Sequence, residues 1–196
     1  MIIGLDLDDV VFATSEALKC VLDECKDKEI LRYKEEIMMG KPTTEKIAKF
    51  LRDNGVPTIK KAKPIKGAVE TIRKLKEKGH KIIFITARGN DIFPPNAQEV
   101  TIEKLKEYEI EYDDIVFSST NKAKDCKKMG IELFVDDSPK HCVAIKEKLG
   151  IHVIGFESDI TKKSMKKENI KSVKTWTELL ETINQIAIKN ENRRGD

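Results

Sequence analysis

The chain has 196 residues, enough to bury a real core as one domain or as one domain with an insertion. Charged residues are 36% of the total and hydrophobic ones 39%, which excludes a membrane protein and a disordered chain. The net charge of +3, from 37 basic and 34 acidic residues, is too small an excess to point to a nucleic-acid partner.

The chain opens on a short apolar run, Ile2 to Leu5, that ends in three acids, Asp6, Asp8 and Asp9. A brief buried run reads as a central strand of a parallel sheet. Asp is depleted within strands, so these acids belong at the C-terminal end, where open α/β sheets keep their ligands. Ala13 to about Cys25 then has helical spacing at Ala17, Leu18, Val21, Leu22 and Cys25. Ile30 to Met38 is a weaker helix, and Gly40-Lys41-Pro42 breaks the chain. Thr43 is expected to cap a helix carrying Ile47, Phe50 and Leu51, which stops at Asn54-Gly55 before Pro57. No strand pattern appears between Phe12 and Pro64. A helical block of roughly 50 residues far exceeds a crossover, which needs only about a dozen. Residues 13–63 are therefore expected to form a helical cap inserted into a core made of 1–12 and 64–188.

From Pro64 onward helices and strands alternate. Ile65, Ala68, Ile72 and Leu75 mark a helix closed by Gly79, and Lys81 to Thr86 is a second strand, leaving on Ala87-Arg88-Gly89. Pro94-Pro95 closes the next loop, and Asn96 with Glu99 forms a capping-box pattern for a helix reaching about Tyr108. Ile115 to Phe117 is a third strand, followed by a polar turn from Ser118 to Asn121 and a Lys-rich helix ending at Gly130. Leu133 to Val135 is the fourth, ending on Asp136-Asp137. Ser138 and Pro139 then start a helix that Gly150 closes. His152 to Phe156 is the fifth. The last helix starts at Thr175 with Glu178 as capping box, and 189–196 is a polar tail expected to be disordered. The lysines at 162–163 and 166–167 read as a solvated face.

Strands alternating with helices predict an α/β fold, a doubly wound, Rossmann-like parallel sheet. In such a sheet Asp6, Asp8, Thr86, Ser118, Ser119, Asp136 and Asp137 all fall at C-terminal strand ends, on one edge. The four cysteines and three histidines make no zinc-ligand spacing and fit free thiols in a reducing cytosol. The N-terminus shows no signal peptide, so a cytoplasmic location is expected. Oxygen ligands without His or Cys suit a hard cation, Mg²⁺, and hydroxyls with a lysine beside it suit a phosphate. An Asp nucleophile passing through an aspartyl-phosphate is a known route for phosphoryl chemistry.

Asp6-Leu7-Asp8-Asp9-Val10 resembles the DxDx[T/V] motif of the haloacid dehalogenase (HAD) superfamily. Phe84-Ile85-Thr86, then Lys122 or Lys124, then Phe134 to Asp137 match its other motifs in order, and the helical block sits where that family places a C1-type cap. The resemblance implies Asp6 as nucleophile and metal ligand. It implies Asp8 as general acid/base with its backbone carbonyl on the metal. Thr86 with the backbone after it, at Ala87 and Arg88, would be the phosphate cradle, and the Arg88 side chain is expected either to reach substrate phosphate or to be an exposed loop arginine. Asp137, with Asp136 beside it, would be the distal metal ligand. Lys122 is preferred over Lys124 as the lysine. The second Asp favours a phosphatase over a dehalogenase.

Further runs, from Ile85 to Gly89, Thr101 to Leu105, Tyr112-Asp113, Asn121-Lys122-Ala123 and Val135 to Pro139, resemble the 5′-nucleotidase C type, the 5′(3′)-deoxyribonucleotidases. The substrate it implies is a nucleoside monophosphate. The alternatives are a phosphatase on sugar phosphates or other small metabolites, a 3′-phosphatase on nucleic-acid ends, and a catalytically idle HAD fold serving as a binding or regulatory module. A receiver-type domain fits less well, because its phospho-acceptor follows a later strand than its acidic pair. Phe12, Tyr33, Met38 and Phe50 are the candidates for a cap pocket. The oligomeric state stays open.

Overall fold

The computed structural model describes residues 1–38, 43–89, 96–159 and 161–194, with side chains through 190. The expected break at Gly40-Lys41-Pro42 and the Pro94-Pro95 loop lie outside the described residues. In chain order the elements are β1 (Ile2–Leu5), α1 (Thr14–Asp23), α2 (Lys28–Arg32), α3 (Lys34–Met38), α4 (Glu45–Lys61), α5 (Ala68–Glu77), β2 (Lys81–Ile85) and α6 (Ala97–Glu107). They continue with β3 (Asp114–Val116), α7 (Lys122–Met129), β4 (Leu133–Asp136), α8 (Pro139–Leu149), β5 (His152–Phe156), α9 (Lys162–Lys167), β6 (Ser172–Val173) and α10 (Trp176–Arg194).

All six strands are parallel, in the order β3-β2-β1-β4-β5-β6. The order reverses between β1 and β4, the switch point at which doubly wound sheets open a crevice for ligands. Leu5 is paired with Phe84 on one side and Val135 on the other, so Asp6 emerges level with the ends of both neighbouring strands. One close approach explains a glycine in this central strand. A Cβ at Gly4 would lie 2.5 Å from the ring of Phe134 on β4.

The main core combines Leu5, Leu7, Phe84 and Val135 with Trp176, Leu179 and Ile183 of α10. Trp176 is fully buried and donates from Nε1 to the Val10 carbonyl at 2.9 Å, so the last helix braces the loop after β1. The described residues between 13 and 63 form the helices α1 to α4 and have an apolar cluster of their own, Leu22, Ile30, Ile37, Ile47 and Leu51. The two chain crossings into this layer run side by side. Ala13 N–H donates to the Lys63 carbonyl at 2.9 Å and Ile65 N–H to Val11 at 2.8 Å.

Several local expectations are corrected. The helix expected to stop at Asn54-Gly55 runs through Pro57 to Lys61. Burial of Ile47, Leu51 and Ile59 outweighs the lost N–H at the proline, a case of tertiary packing overriding propensity. Its cap is Thr44, not Thr43, with Oγ1 accepting from Ile47 N–H at 3.3 Å. The segment from 30 to 38 is two short helices, α2 and α3, with Tyr33 between them. Asn96 makes no side-chain cap bond because its backbone is already helical. By contrast Thr175 accepts from Glu178 N–H at 3.2 Å. The expected disordered tail is helical to Arg194, as part of α10, and the short α9 and β6 had no sequence signal.

Candidate active site

The loop after β1 is tight because Val11 and Phe12 both return their N–H groups to the Leu7 carbonyl, at 3.0 and 2.9 Å. Asp9 takes the left-handed conformation at φ 54°, one of the few non-glycine types that tolerates it. This turn splits the three acids. Asp6 and Asp8 point to different partners, and Asp9 accepts from Ser15 N–H at 2.8 Å and from the Ser15 hydroxyl. Asp9, which the sequence leaves without chemistry, therefore holds the start of α1.

Asp6 faces the switch point. Its Oδ1 accepts from Leu7 N–H at 2.8 Å and its Oδ2 lies 2.8 Å from Lys122 Nζ. The same ammonium is 2.7 Å from Asp136 Oδ2. Lys122 is the first residue of α7, placed by the cap residue Asn121, which accepts from Lys124 N–H at 3.1 Å. Lys122 is buried at the acids, whereas Lys124 is exposed and away from them. Both oxygens of Asp136 are engaged, because Oδ1 also accepts from Ser138 N–H at 2.8 Å and lies 3.2 Å from His141 Nδ1. His141 was missed by the sequence reading; its only signal is a helical position one turn past Asp136-Asp137.

One ammonium is thus shared among several buried acids. Burial pushes the Asp6 carboxyl up to about 7, with Lys122 opposing and Asp136 and Asp8 adding to the rise. Asp137 goes to about 9, through burial first and then the charges of Asp6, Asp136 and Asp9. Burial also acts on Asp136, but Lys122 and His141 overcome it and hold that carboxyl below the usual range. Burial would lower Lys122, and the two acids beside it more than reverse that. Asp6, Asp136 and Asp137 each offer an oxygen, all within 4.8 Å of one another. Three carboxylates, two of them with raised proton affinity, and no soft ligand fit a hard divalent cation.

Asp8 faces the other way, toward β2 and α6. Arg88 lies against it with Nη2 2.7 Å from Oδ1, and Thr14 Oγ1 donates to the same oxygen at 2.7 Å. Burial would raise the Asp8 carboxyl, but the Arg88 charge, its hydrogen bonds and that of Thr14 hold it low. Thr86 is fully buried at the end of β2, and its Oγ1 accepts from Arg88 N–H at 3.2 Å. Ser118 and Ser119 close the far side, with Ser119 N–H donating to the Thr86 carbonyl at 2.9 Å and its hydroxyl to Asp125 at 2.6 Å.

Among the expected pocket residues, Phe12 is corrected. It is 1% exposed in the main core, edge-on to Tyr108 at 6.3 Å and under the Arg88 guanidinium. Tyr33, Met38 and Phe50 pack around the cluster of the helical layer. Phe50 also borders an open groove between α1 and α4, with Val21, Cys25 and Pro57. Of the two threonines that contact Arg88, Thr14 carries no motif signal, whereas Thr101 opens one of the runs on which the family resemblance rests.

Among the described residues, no helix is long and apolar enough to cross a membrane. Solved structures share the fold. A predicted phosphatase from Clostridium acetobutylicum superposes with a TM-score of 0.66 at 17% identity, covering 93% of this chain and 97% of its own. A HAD family hydrolase from Deinococcus radiodurans, with bound phosphate and sodium, gives 0.60 at 14%, covering 91% and 92%. A predicted phosphoglycolate phosphatase from Haemophilus somnus gives 0.60 at 16%, covering 93% and 97%. No curated protein matches the chain. The family model described as 5′ nucleotidase, deoxy (Pyrimidine), cytosolic type C protein matches residues 1–190, a span that holds every acid, hydroxyl and lysine of the site. The chain therefore belongs to that family, and it is a phosphoric monoester hydrolase with the fold of the HAD structures.

Proposed function

We propose that the protein is a Mg²⁺-dependent 5′-nucleotidase that dephosphorylates (deoxy)nucleoside monophosphates through an aspartyl-phosphate on Asp6. The family match over residues 1–190 carries the substrate class. The placement of Asp6 against the Lys122 ammonium, with Asp8 turned to the other side of the same loop, supports the reaction.

The chemistry runs in two displacements. An Asp6 oxygen attacks phosphorus, the bond from phosphorus to the nucleoside 5′-oxygen breaks, and the Asp8 carboxylic acid gives that oxygen its proton. Water then attacks the aspartyl-phosphate, its proton passes to Asp8, and the phosphorus–Asp6 bond breaks to release inorganic phosphate. Asp8 is restored to its starting form at each turnover. Arg88 and Thr14 favour its ionised form, the form that takes the proton from water in the second displacement. Thr86 Oγ1 and the Ala87 N–H cradle the phosphoryl oxygens, and Lys122 offsets charge on Asp6 and the phosphoryl group.

Asp6, Asp136 and Asp137 would hold the cation, with the Asp8 backbone carbonyl. Bound there, Mg²⁺ supplies positive charge against the phosphoryl oxygens. Asp137 is the leading distal ligand, because no hydrogen bond ties up its carboxylate among the described residues, whereas both Asp136 oxygens are engaged. The cytosolic type in the family description and the free thiols at Cys20, Cys25, Cys126 and Cys142 fit a reducing compartment.

A panel of monophosphates assayed with Mg²⁺ tests the reading. The expected result is preference for nucleoside 5′-monophosphates; preference for sugar phosphates over every nucleotide would overturn the nucleotidase assignment and leave the phosphatase standing.

A further inference from the structure

Arg88 follows the phosphate-cradle strand by three residues and was expected to reach phosphate or to be an exposed loop arginine. Its side chain is 1% exposed and is spent elsewhere. Nε lies 3.1 and 3.3 Å from the two Asp8 oxygens and Nη2 lies 2.7 Å from Oδ1. Nη1 donates to Thr101 Oγ1 on α6 at 3.1 Å, and Nη2 also reaches Thr14 Oγ1, the first residue of α1, at 3.3 Å. The Phe12 ring lies 5.5 Å from the guanidinium carbon. Thr101 is itself oriented, since its hydroxyl donates to the Ala97 carbonyl at 2.7 Å and so accepts from Arg88. The backbone is fixed as well, with Ser118 N–H donating to the Arg88 carbonyl at 2.8 Å.

A fork bound on three sides cannot swing to a phosphate without leaving a buried charge partly unpaired. Asp8 is in the opposite condition. It stands on a loop, 25% exposed, with rotatable torsions of its own. A planar guanidinium aligns a carboxylate in a way that a lysine, a point charge on a flexible stem, does not.

We propose that Arg88 is a positioning residue, which fixes the Asp8 carboxylate between α1 and α6 so that its free face meets the leaving oxygen, and that it is not a phosphate ligand. This rests on Asp8 being the proton-transfer group. Arg88 then acts on the proton, not on affinity.

The leaving group provides the test. p-Nitrophenolate departs from its phosphate ester without a proton, whereas an alkyl alcohol needs one. Arg88→Lys and Arg88→Gln are compared with Asp8→Asn on p-nitrophenyl phosphate and on thymidine 5′-monophosphate, or on the best alkyl ester of the panel. On the alkyl ester both Arg88 variants should lose roughly 10- to 10³-fold in kcat with KM within about threefold, a part of the full acid–base contribution. The first-turnover burst of p-nitrophenolate should stay near wild type. Arg88→Gln should add nothing to Asp8→Asn in the double variant.

A tenfold or larger rise in KM on both esters with kcat retained would make Arg88 a phosphate ligand and overturn the inference. An equal fall in burst and alkyl turnover would reduce it to a structural ion pair. Full activity of Asp8→Asn would remove the proton-transfer reading and the inference with it, whereas loss in Asp8→Asn beside unaffected Arg88 variants would sink the inference alone. Should Arg88→Gln not fold, Thr101→Val, which removes the Nη1 acceptor and its bond to the Ala97 carbonyl but leaves the Arg88–Asp8 pair, carries the same comparison with Arg88→Lys.

Discussion

Asp6 shares the Lys122 ammonium with Asp136, whereas Asp8, two residues on, has the Arg88 guanidinium to itself. The two carboxyls sit on one strand end and diverge in proton affinity, Asp6 rising to about 7 and Asp8 falling below the usual range. Burial acts on both in the same direction, so the partners decide the difference. On one half a lone cation faces three acids and leaves negative charge in excess, which is what a divalent ion would neutralise. On the other half the charges balance, and the carboxylate is held by hydrogen bonds from Arg88 on the loop after β2 and from Thr14 of α1. A cation side and a proton side follow from where one turn sends alternate side chains.

The comparison breaks first at Asp6. Asp6→Asn should reduce hydrolysis to background with no phosphoenzyme in a rapid-quench assay; turnover at the wild-type rate would show that another group attacks. Asp8→Asn should lower kcat by ~10²–10⁴-fold while phosphoenzyme still forms, because only the proton is lost. Lys122→Met is expected to cost ~10²–10³-fold in kcat and also to destabilise the fold by about 3–5 kcal/mol, since it strips the partner from two buried acids. A denaturation curve unchanged from wild type would contradict the shared-ammonium picture.

The pH dependence of stability separates the halves. Asp6 and Asp137 bind their protons more tightly folded than unfolded, so their contribution is full below the usual carboxylate pKa near 4. It is lost as pH rises through about 7 and about 9. Asp8 and Asp136 behave oppositely, contributing above the usual value and losing it as pH falls through their depressed ones. The metal-free protein should therefore lose melting temperature from pH 5.5 to 8.5. Magnesium at ~100 times its dissociation constant at pH 8.5 should restore about 2.7 kcal/mol there, and the same concentration should restore less at pH 5.5, where protons compete for the acids. An equal gain at both pH values would mean that the ion binds away from these acids. The smallest effect is expected for His141→Ala, which frees one side of Asp136 and should cost about 1 kcal/mol with kcat within a fewfold of wild type.

Much of this was legible in the chain. The strand–helix alternation and the acids at Asp6, Asp8, Asp136 and Asp137 place a site on one sheet edge, since strand ends announce themselves by the switch from apolar to polar residues. Lys122 was distinguishable from Lys124 because it directly follows the polar turn. The helical run through Pro57 was not legible, because a proline is a local signal and the packing that overrides it is not local. Arg88 looked like a loop arginine near phosphate, and its partners Thr14 and Thr101 lie 74 and 13 residues away.

The sequence by itself determined the first five strands, the order of the motifs and the acids that meet at the strand ends, because periodicity and strand-end polarity are written in neighbouring residues. Only the tertiary structure decided which cation serves which acid. That choice depends on where β2, α1, α6 and α7 come together around the end of β1, and it sets the proton affinities on which the chemistry turns.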